Sequence, residues 1–173
     1  MKYNKYSLSL RIIHWLMALF IIGMLISGFY MKSLPGSNAI KFSIYAVHKA
    51  CGLTIFGLVI VRILFRVFTY VPPFLASFSN FTIAITKIVH LGLYFIMIAM
   101  PLSGYIMSSA SGINIKYFFH VPLFIEKNKK LAVIANESHS VLAYLIIFLI
   151  SLHLIGTLKH LLIDKQNILK RIL

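Results

Sequence analysis

Seven histidines are the residues of this chain whose type and spacing could support chemistry. They occur at positions 14, 48, 90, 120, 139, 153 and 160, and most of them lie within or beside long apolar segments. An ionisable side chain at membrane depth is costly, so such residues usually serve a function. A single buried histidine that bonds to a hydroxyl or a carbonyl is common, and the spacing of the set is therefore what carries information.

His139 and His153 lie 14 residues apart in one apolar segment. In a helix this spacing returns to within about 40° of the same face and covers about 21 Å along the axis. In a hydrocarbon layer about 30 Å thick, one histidine then lies near each surface. Because successive helices alternate in direction, His14 shares the depth of His153, on the side of both termini, and His48 shares the depth of His139. We call the first two the terminal pair and the other two the far pair.

Two facing histidine pairs at two depths are what two b-type haems require. Each haem iron takes one neutral imidazole from either side of its flat macrocycle, and six-coordinate low-spin iron exchanges electrons with little rearrangement. Zinc and iron–carboxylate sites use cysteines or carboxylates, and these are scarce here: Cys51, Glu126, Glu137 and Asp164. The predicted metal ligands, for two haem b groups, are therefore His14, His48, His139 and His153.

Four apolar segments must position these histidines. Of 173 residues, 60% are hydrophobic and only 12% are charged, whereas a soluble domain carries about 25% charged residues. The sequence predicts an all-α, integral membrane four-helix bundle with the two haems between its helices. We expect a single transmembrane cytochrome b domain, 1–173, with helices at about 8–31, 43–69, 82–108 and 131–162. Residues 113–119, in the longest connection, are apolar and aromatic enough to form a short helix at the membrane surface.

The basic residues lie at helix ends and in the predicted connections. The net charge is +14, and at these positions membrane lipid and anionic small molecules are the expected partners, whereas nucleic acid is not expected. Ten of the 17 basic residues, including every arginine, fall on the side of the termini, so the positive-inside rule predicts that both termini are cytoplasmic. The opposite side carries the far-side lysines, which either attract an anion or merely reflect a basic composition: Lys32, Lys41, Lys49, Lys116, Lys127, Lys129 and Lys130.

Several residues close to the paired histidines are candidates for binding the cofactor. Gly52 follows His48 by one helical turn and would leave room for a flat ring, although small residues also serve ordinary close packing of helices. Nearby basic residues are suited to pairing with haem propionates or a quinone oxygen, but they could equally be anchors at head-group level. These are Arg11, Lys49, Arg62 and Lys159.

His90 and His160 are ionisable residues outside the four predicted ligands. His90 lies near the terminal side in the third segment, and His160 follows His153 by seven residues, close to its face. Both could donate a hydrogen bond or a proton to a quinone. Two other roles stay open, because either could bind a propionate and His90 could replace His14 as a ligand.

Several stretches of the chain resemble one known family, the prokaryotic dihaem cytochromes b of the b-561 type. The resemblance covers nearly the whole chain in order and with similar spacing, and no ligand position departs from the pattern. Cys51 stands where a small or polar residue is more usual. The stretches that carry the resemblance are RIIHW at 11–15, HKACGL at 48–53, HLGLY at 90–94, PLSGY at 101–105, ESH at 137–139 and the tail 153–164.

The resemblance implies a four-helix bundle in the bacterial inner membrane that exchanges electrons with the quinone pool. One member of the family is a superoxide oxidase, which takes an electron from superoxide at the periplasmic face and passes it to ubiquinone. The far-side lysines suit an anionic substrate of this kind. Under this hypothesis the residues that serve superoxide and quinone are Lys49, His90, His160 and Arg62.

Two rival functions use similar sequences. A haem-bearing anchor subunit that passes electrons for a partner dehydrogenase or hydrogenase has similar helices and paired histidines, although the short predicted connections argue against a large docking surface. A haem-free transporter or structural bundle is the second rival. A proton-driven transporter is expected to bury an acidic residue, and the acidic residues of this chain lie at the predicted membrane edges.

Overall fold

The computed structural model describes residues 5–116 and 120–173, most of which lie in four long helices. These are α1 (Leu8–Ser33), α2 (Ala39–Phe68), α3 (Asn80–Ala110) and α4 (Lys129–Leu162). Each is long and apolar enough to cross a membrane. The predicted all-α membrane bundle of four helices is thus confirmed, and many of its large apolar side chains are exposed on its surface, as lipid contact requires.

Each helix begins where a side chain satisfies free backbone N–H groups. The capping residues are Ser7, Asn38, Ser79 and Asn128, and each accepts a hydrogen bond from an amide two or three residues further on. α2 consequently starts at Ala39, four residues before the predicted bound, and α3 and α4 each start two residues early. Hydropathy alone misses these polar first turns, because they lie outside the apolar run.

The connection between α3 and α4 is where the sequence prediction is wrong. Instead of a helix, Ile115–Lys116 (β1) pairs antiparallel with His120–Val121 (β2), and residues 117–119 lie outside the described part. Side chains of α3 bind the rest of the connection. The Tyr105 hydroxyl donates to the Pro122 carbonyl at 2.8 Å and accepts from the Phe124 amide at 3.0 Å. Backbone N–H and C=O groups of this connection are therefore paired either across the two strands or with side chains of α3.

Helix packing leaves room between α4 and the first two helices. α3 packs along α4, α1 along α2, and α2 along α3, whereas α1 and α4 meet mainly through side chains. Their ring contacts are His14 with His153 and Phe29 with Tyr144, whose centroids lie 5.6 Å apart. A small buried cluster holds α1 and α2 together: Ile13, Met17, Ile55 and Val59.

The two ends of the described part of the chain lie at one end of the bundle. The Tyr6 amide donates to the Arg171 carbonyl at 3.0 Å, and the Trp15 indole donates to the Ile172 carbonyl at 3.1 Å. The Arg171 guanidinium reaches the connection between α2 and α3, where it donates to the Pro73 carbonyl at 2.6 Å. The short 3-10 helix Ile168–Arg171 therefore covers the end at which α1 begins and α4 finishes.

Gly92 permits the close approach of α3 to α4. A Cβ at this position would lie 3.1 Å from Leu149 Cδ1, whereas a Cβ at Gly23, on the outer face of α1, would have nothing within 4 Å. We expect Gly92→Leu to destabilise the protein by roughly 1–3 kcal/mol through overpacking. Gly23→Leu should be tolerated because its side chain enters lipid. Thermal unfolding of the two purified variants in the same detergent measures this, and equal midpoints would contradict it.

Candidate haem-binding site

The two predicted histidine pairs face each other across the gap beside α4. The ring centroids of His14 and His153 lie 6.3 Å apart, and those of His48 and His139 lie 6.4 Å apart. Two metal–imidazole bonds of about 2 Å, plus about 1 Å from each nitrogen to its ring centre, give about 6 Å. Both pairs therefore have the spacing of two imidazoles that bind one metal ion from opposite sides.

Two serines fix the orientation of the far pair. The Ser27 hydroxyl donates to the Met24 carbonyl at 3.0 Å and lies 3.0 Å from His48 Nδ1. In the same way, the Ser103 hydroxyl donates to the Met100 carbonyl at 2.7 Å and lies 2.8 Å from His139 Nδ1. A hydroxyl has one proton to donate, so each serine accepts from Nδ1–H of its histidine. This arrangement leaves Nε2 of both rings unprotonated and able to bind iron.

A cavity surrounds the far pair and gives a flat ligand room. Its volume is about 690 Å³, and all four helices line it, which is within the usual size range of cofactor sites. The backbone approaches the rings closely, since a Cβ at Gly28 would lie 3.5 Å from His48 Cε1 and one at Gly104 would lie 3.4 Å from His139 Cε1. Gly52 also lines the cavity, and its role toward the cofactor stays a prediction. An apolar wall with two facing imidazoles fits a haem.

Polar side chains from all four helices meet at the terminal pair. Arg62 of α2 lies 3.3 Å from His14 Nδ1 and donates to the Leu10 carbonyl at 3.0 Å. Guanidinium can only donate, and 3.3 Å is long for such a bond. When His14 Nε2 binds iron, Nδ1 must carry a proton. The Nη2 group of Arg62 is then available to an anionic partner such as a propionate, while Nη1 keeps its bond to Leu10.

The ring spacing favours His14 over His90 as the partner of His153. The His90 centroid lies 5.4 Å from that of His153, which is shorter than the distance that two imidazoles on opposite sides of one iron require. The structure therefore brings His90 to the terminal pair but beside it. This geometry suits a hydrogen-bonding or proton-transfer role better than iron ligation.

Two buried polar atoms near the terminal pair have no hydrogen-bond partner among the described residues. They are Arg11 Nε, one turn before His14, and the Tyr94 hydroxyl, one turn after His90. Buried polar groups are normally paired, so both positions suit the oxygen atoms of a bound molecule. For Arg11 this agrees with its predicted role toward the cofactor.

His160 and Lys159 take part in a separate cluster at the end of α4. The His160 ring stacks on Phe78, with centroids 4.4 Å apart, and its Nδ1 lies 2.6 Å from the Asp164 carboxylate. Lys159 binds the same carboxylate at 2.8 Å. Hydrogen bonds from Lys159 and His160 hold the pKa of Asp164 below its usual range. The cofactor role of Lys159 and the catalytic role of His160 stay predictions.

Three residues of this region escaped the sequence analysis. Ser27 and Ser103 were missed because a serine in a membrane helix usually bonds only to its own backbone. A repeated pattern could have pointed to these serines, because a Ser-Gly pair occurs in both α1 and α3, each time 13 residues after a histidine of the same helix. Tyr94 gave no comparable signal, because tyrosine is common in membrane helices near the interface.

A family model for prokaryotic cytochrome b561 matches residues 5–173. The chain belongs to the prokaryotic cytochrome b561 family. It is similar to "Cytochrome b561 homolog 2" of Escherichia coli strain K12, at 32% identity over 172 residues, which cover 98% of this chain and 92% of that one. It is also similar to "Probable superoxide oxidase CybB" of Yersinia pestis, at 29% identity over 177 residues, covering 99% and 97%. "Cytochrome b561 homolog 1" of Escherichia coli K12 is 23% identical over 175 residues, covering 98% and 97%.

Membership of this family settles the class of the protein. It is a multi-pass bacterial membrane cytochrome that binds b haem and transfers electrons. The residues of the far pair fit such a group in ring spacing, imidazole tautomer and available space. The number of haems and the four ligands follow from the pairing and stay predictions.

Replacing single histidines tests this pairing. We expect His48→Ala and His14→Ala each to reduce the haem content from two per chain to one, since each removes one axial ligand. His90→Ala should retain both haems. Haem b per protein, quantified as the pyridine haemochrome, measures the result. Loss of a haem in His90→Ala with full content in His14→Ala would assign His90 as the ligand.

Proposed function

We propose that this cytochrome transfers electrons from superoxide at the periplasmic face to the ubiquinone pool. Two superoxide anions each lose one electron to become O₂, and one ubiquinone takes up both electrons and two protons to become ubiquinol. The observation that supports this most is the pair of histidine sites, with ring spacings of 6.3 and 6.4 Å, at opposite ends of the bundle. Haems held there supply a one-electron path across the membrane.

The distribution of charge supports an orientation with both termini in the cytoplasm of a bacterial inner-membrane protein. Every arginine belongs to the side of the termini, as the positive-inside rule expects of cytoplasmic loops. The far pair then lies toward the periplasm, where superoxide from outside can reach it.

Lysines at the far cavity support an anionic substrate. Lys32, Lys41 and Lys49 all line this cavity, and Lys49 is half-buried beside His48. A cleft that carries one sign of charge raises the local concentration of small ions of the other sign and speeds their arrival. Haem propionates would neutralise part of this charge, and the remainder attracts superoxide. The relative named as a probable superoxide oxidase agrees with this substrate.

Residues at the terminal side are suited to serve the quinone. Arg62 and His90 lie beside the terminal pair, and both carry donors that can bind a quinone oxygen. His160 is buried, and Asp164 orients its ring through Nδ1, so Nε2 is the nitrogen through which it would exchange a proton. Ubiquinone needs two protons from the cytoplasmic side, and His90 and His160 are our candidates for delivering them.

A reduced-minus-oxidised spectrum with haem quantitation tests the proposal. Purified protein should contain two b haems per chain, which superoxide reduces and a short-chain ubiquinone reoxidises. Two haems that superoxide fails to reduce would overturn the substrate and favour an electron carrier for a partner dehydrogenase or hydrogenase. Colourless protein from haem-replete cells would contradict the cofactor itself.

Lys49 is expected to speed the reaction with superoxide. Lys49→Gln removes a cation from the far cavity, so the rate of haem reduction by superoxide should fall several-fold and depend less on ionic strength. Lys170→Gln removes an exposed cation at the terminal end and serves as the matched control. Stopped-flow reduction at several salt concentrations measures both, and equal rates would argue against steering by Lys49.

His160 is expected to affect the quinone step alone. His160→Phe can keep the stacking on Phe78 but cannot carry a proton, so reoxidation by ubiquinone should slow at least tenfold while reduction by superoxide is unchanged. The Asp164 pKa is held below its usual range, so this carboxylate is ionised above about pH 4. Wild type and His160→Phe are therefore compared above this pH, where Asp164 is ionised, and equal reoxidation rates would contradict the role of His160.

A further inference from the structure

The two histidines of the far pair have the same local arrangement of neighbours. Ser27-Gly28 of α1 contacts His48 of α2, and Ser103-Gly104 of α3 contacts His139 of α4. In each copy the serine bonds to Nδ1 and the glycine lies against Cε1 of the same ring. Two different helix pairs, α1 with α2 and α3 with α4, therefore present their imidazoles to the gap in the same way.

We propose that Ser27 and Ser103 are positioning residues that hold both far-pair imidazoles in the iron-binding tautomer and lower the reduction potential of the haem between them. The inference rests on the proposed placement of that haem. Neither serine touches the metal position, and each acts through its histidine.

The direction of the effect follows from the hydrogen bonds. Nδ1–H donates to the serine oxygen, and the serine donates its own proton to a carbonyl, so the two bonds polarise each other. A ring that donates from Nδ1 is a more basic ligand at Nε2. A more basic ligand stabilises ferric iron more than ferrous iron, which lowers the reduction potential.

The terminal pair lacks this arrangement at His14. The group nearest its Nδ1 is the Arg62 guanidinium, at 3.3 Å, which cannot accept a hydrogen bond from Nδ1–H. Changes at Ser27 or Ser103 should therefore act on one haem and leave the other as an internal reference.

Redox titration of Ser27→Ala and Ser103→Ala tests the inference. In each variant one of the two haems should shift to a higher potential, by on the order of tenfold in its oxidation equilibrium, or about 59 mV for one electron. The same haem should move in both variants, and the two shifts should add in the double variant. Electron paramagnetic resonance of the oxidised protein should show a changed g value for one low-spin iron alone.

Two further variants separate this effect from packing. Ser27→Thr and Ser103→Thr keep a hydroxyl that can bond to the same carbonyl, so they should restore the wild-type potential. Ser151→Ala removes an exposed hydroxyl of α4 that donates to the Ile147 carbonyl of the same helix, and it should leave both potentials unchanged.

Three outcomes would overturn the proposal: unchanged potentials in both alanine variants, equal shifts of both haems, or haem loss that threonine does not restore. These failures differ from failure of the proposed function. All the serine variants keep the four paired histidines, whereas a wrong haem placement would already appear in the haem content of the unaltered protein and of the histidine variants.

Discussion

The distance between facing imidazole rings is the constraint on which the rest of this structure depends. Rings that share one iron must lie about 6 Å apart, and the four helices provide 6.3 and 6.4 Å at two levels. Ordinary close packing of α4 against α1 and α2 would close this gap. Tight contact is instead concentrated between α3 and α4, where Gly92 meets Leu149, and between α1 and α2. The two halves of the bundle are thus each well packed, and the space for a cofactor lies between them.

Burial of the histidines in a membrane requires a partner for each ring nitrogen, because lipid offers none. At the far level, two serine hydroxyls supply the partner for Nδ1 and direct the other nitrogen into the cavity. At the terminal level, Arg62 and His90 surround the ligands, and Arg11 and Tyr94 carry buried polar atoms that a bound molecule could pair. The two levels therefore differ in chemistry: neutral hydroxyls orient one pair, and fixed cations surround the other.

Helical periodicity was enough to predict which histidines share a level, because depth in a membrane follows directly from position along each helix. The positions of His90 and Arg62 beside the terminal pair also follow from depth. What the sequence could not provide was lateral distance, which separates a ring at 6.3 Å from one at 5.4 Å and so distinguishes His14 from His90. The bonds of Ser27 and Ser103 depend on contacts between helices, which periodicity does not contain. The strand pair Ile115–Lys116 and His120–Val121 was missed because an apolar, aromatic stretch of that length suits a strand as well as a helix.

α4 alone contributes a histidine to both predicted pairs, so the number of residues between His139 and His153 should be fixed in the evolution of this protein. One inserted residue would rotate one histidine by about 100° relative to the other and displace it by about 1.5 Å, so that the two histidines could no longer face both of their partners at once. Substitutions between the two histidines need only suit the lipid and the packing of the helix, whereas insertions and deletions would disrupt the site. Length variation among homologues should consequently accumulate in the connections 34–38, 69–79 and 111–128, and α4 should drift in composition while keeping its register.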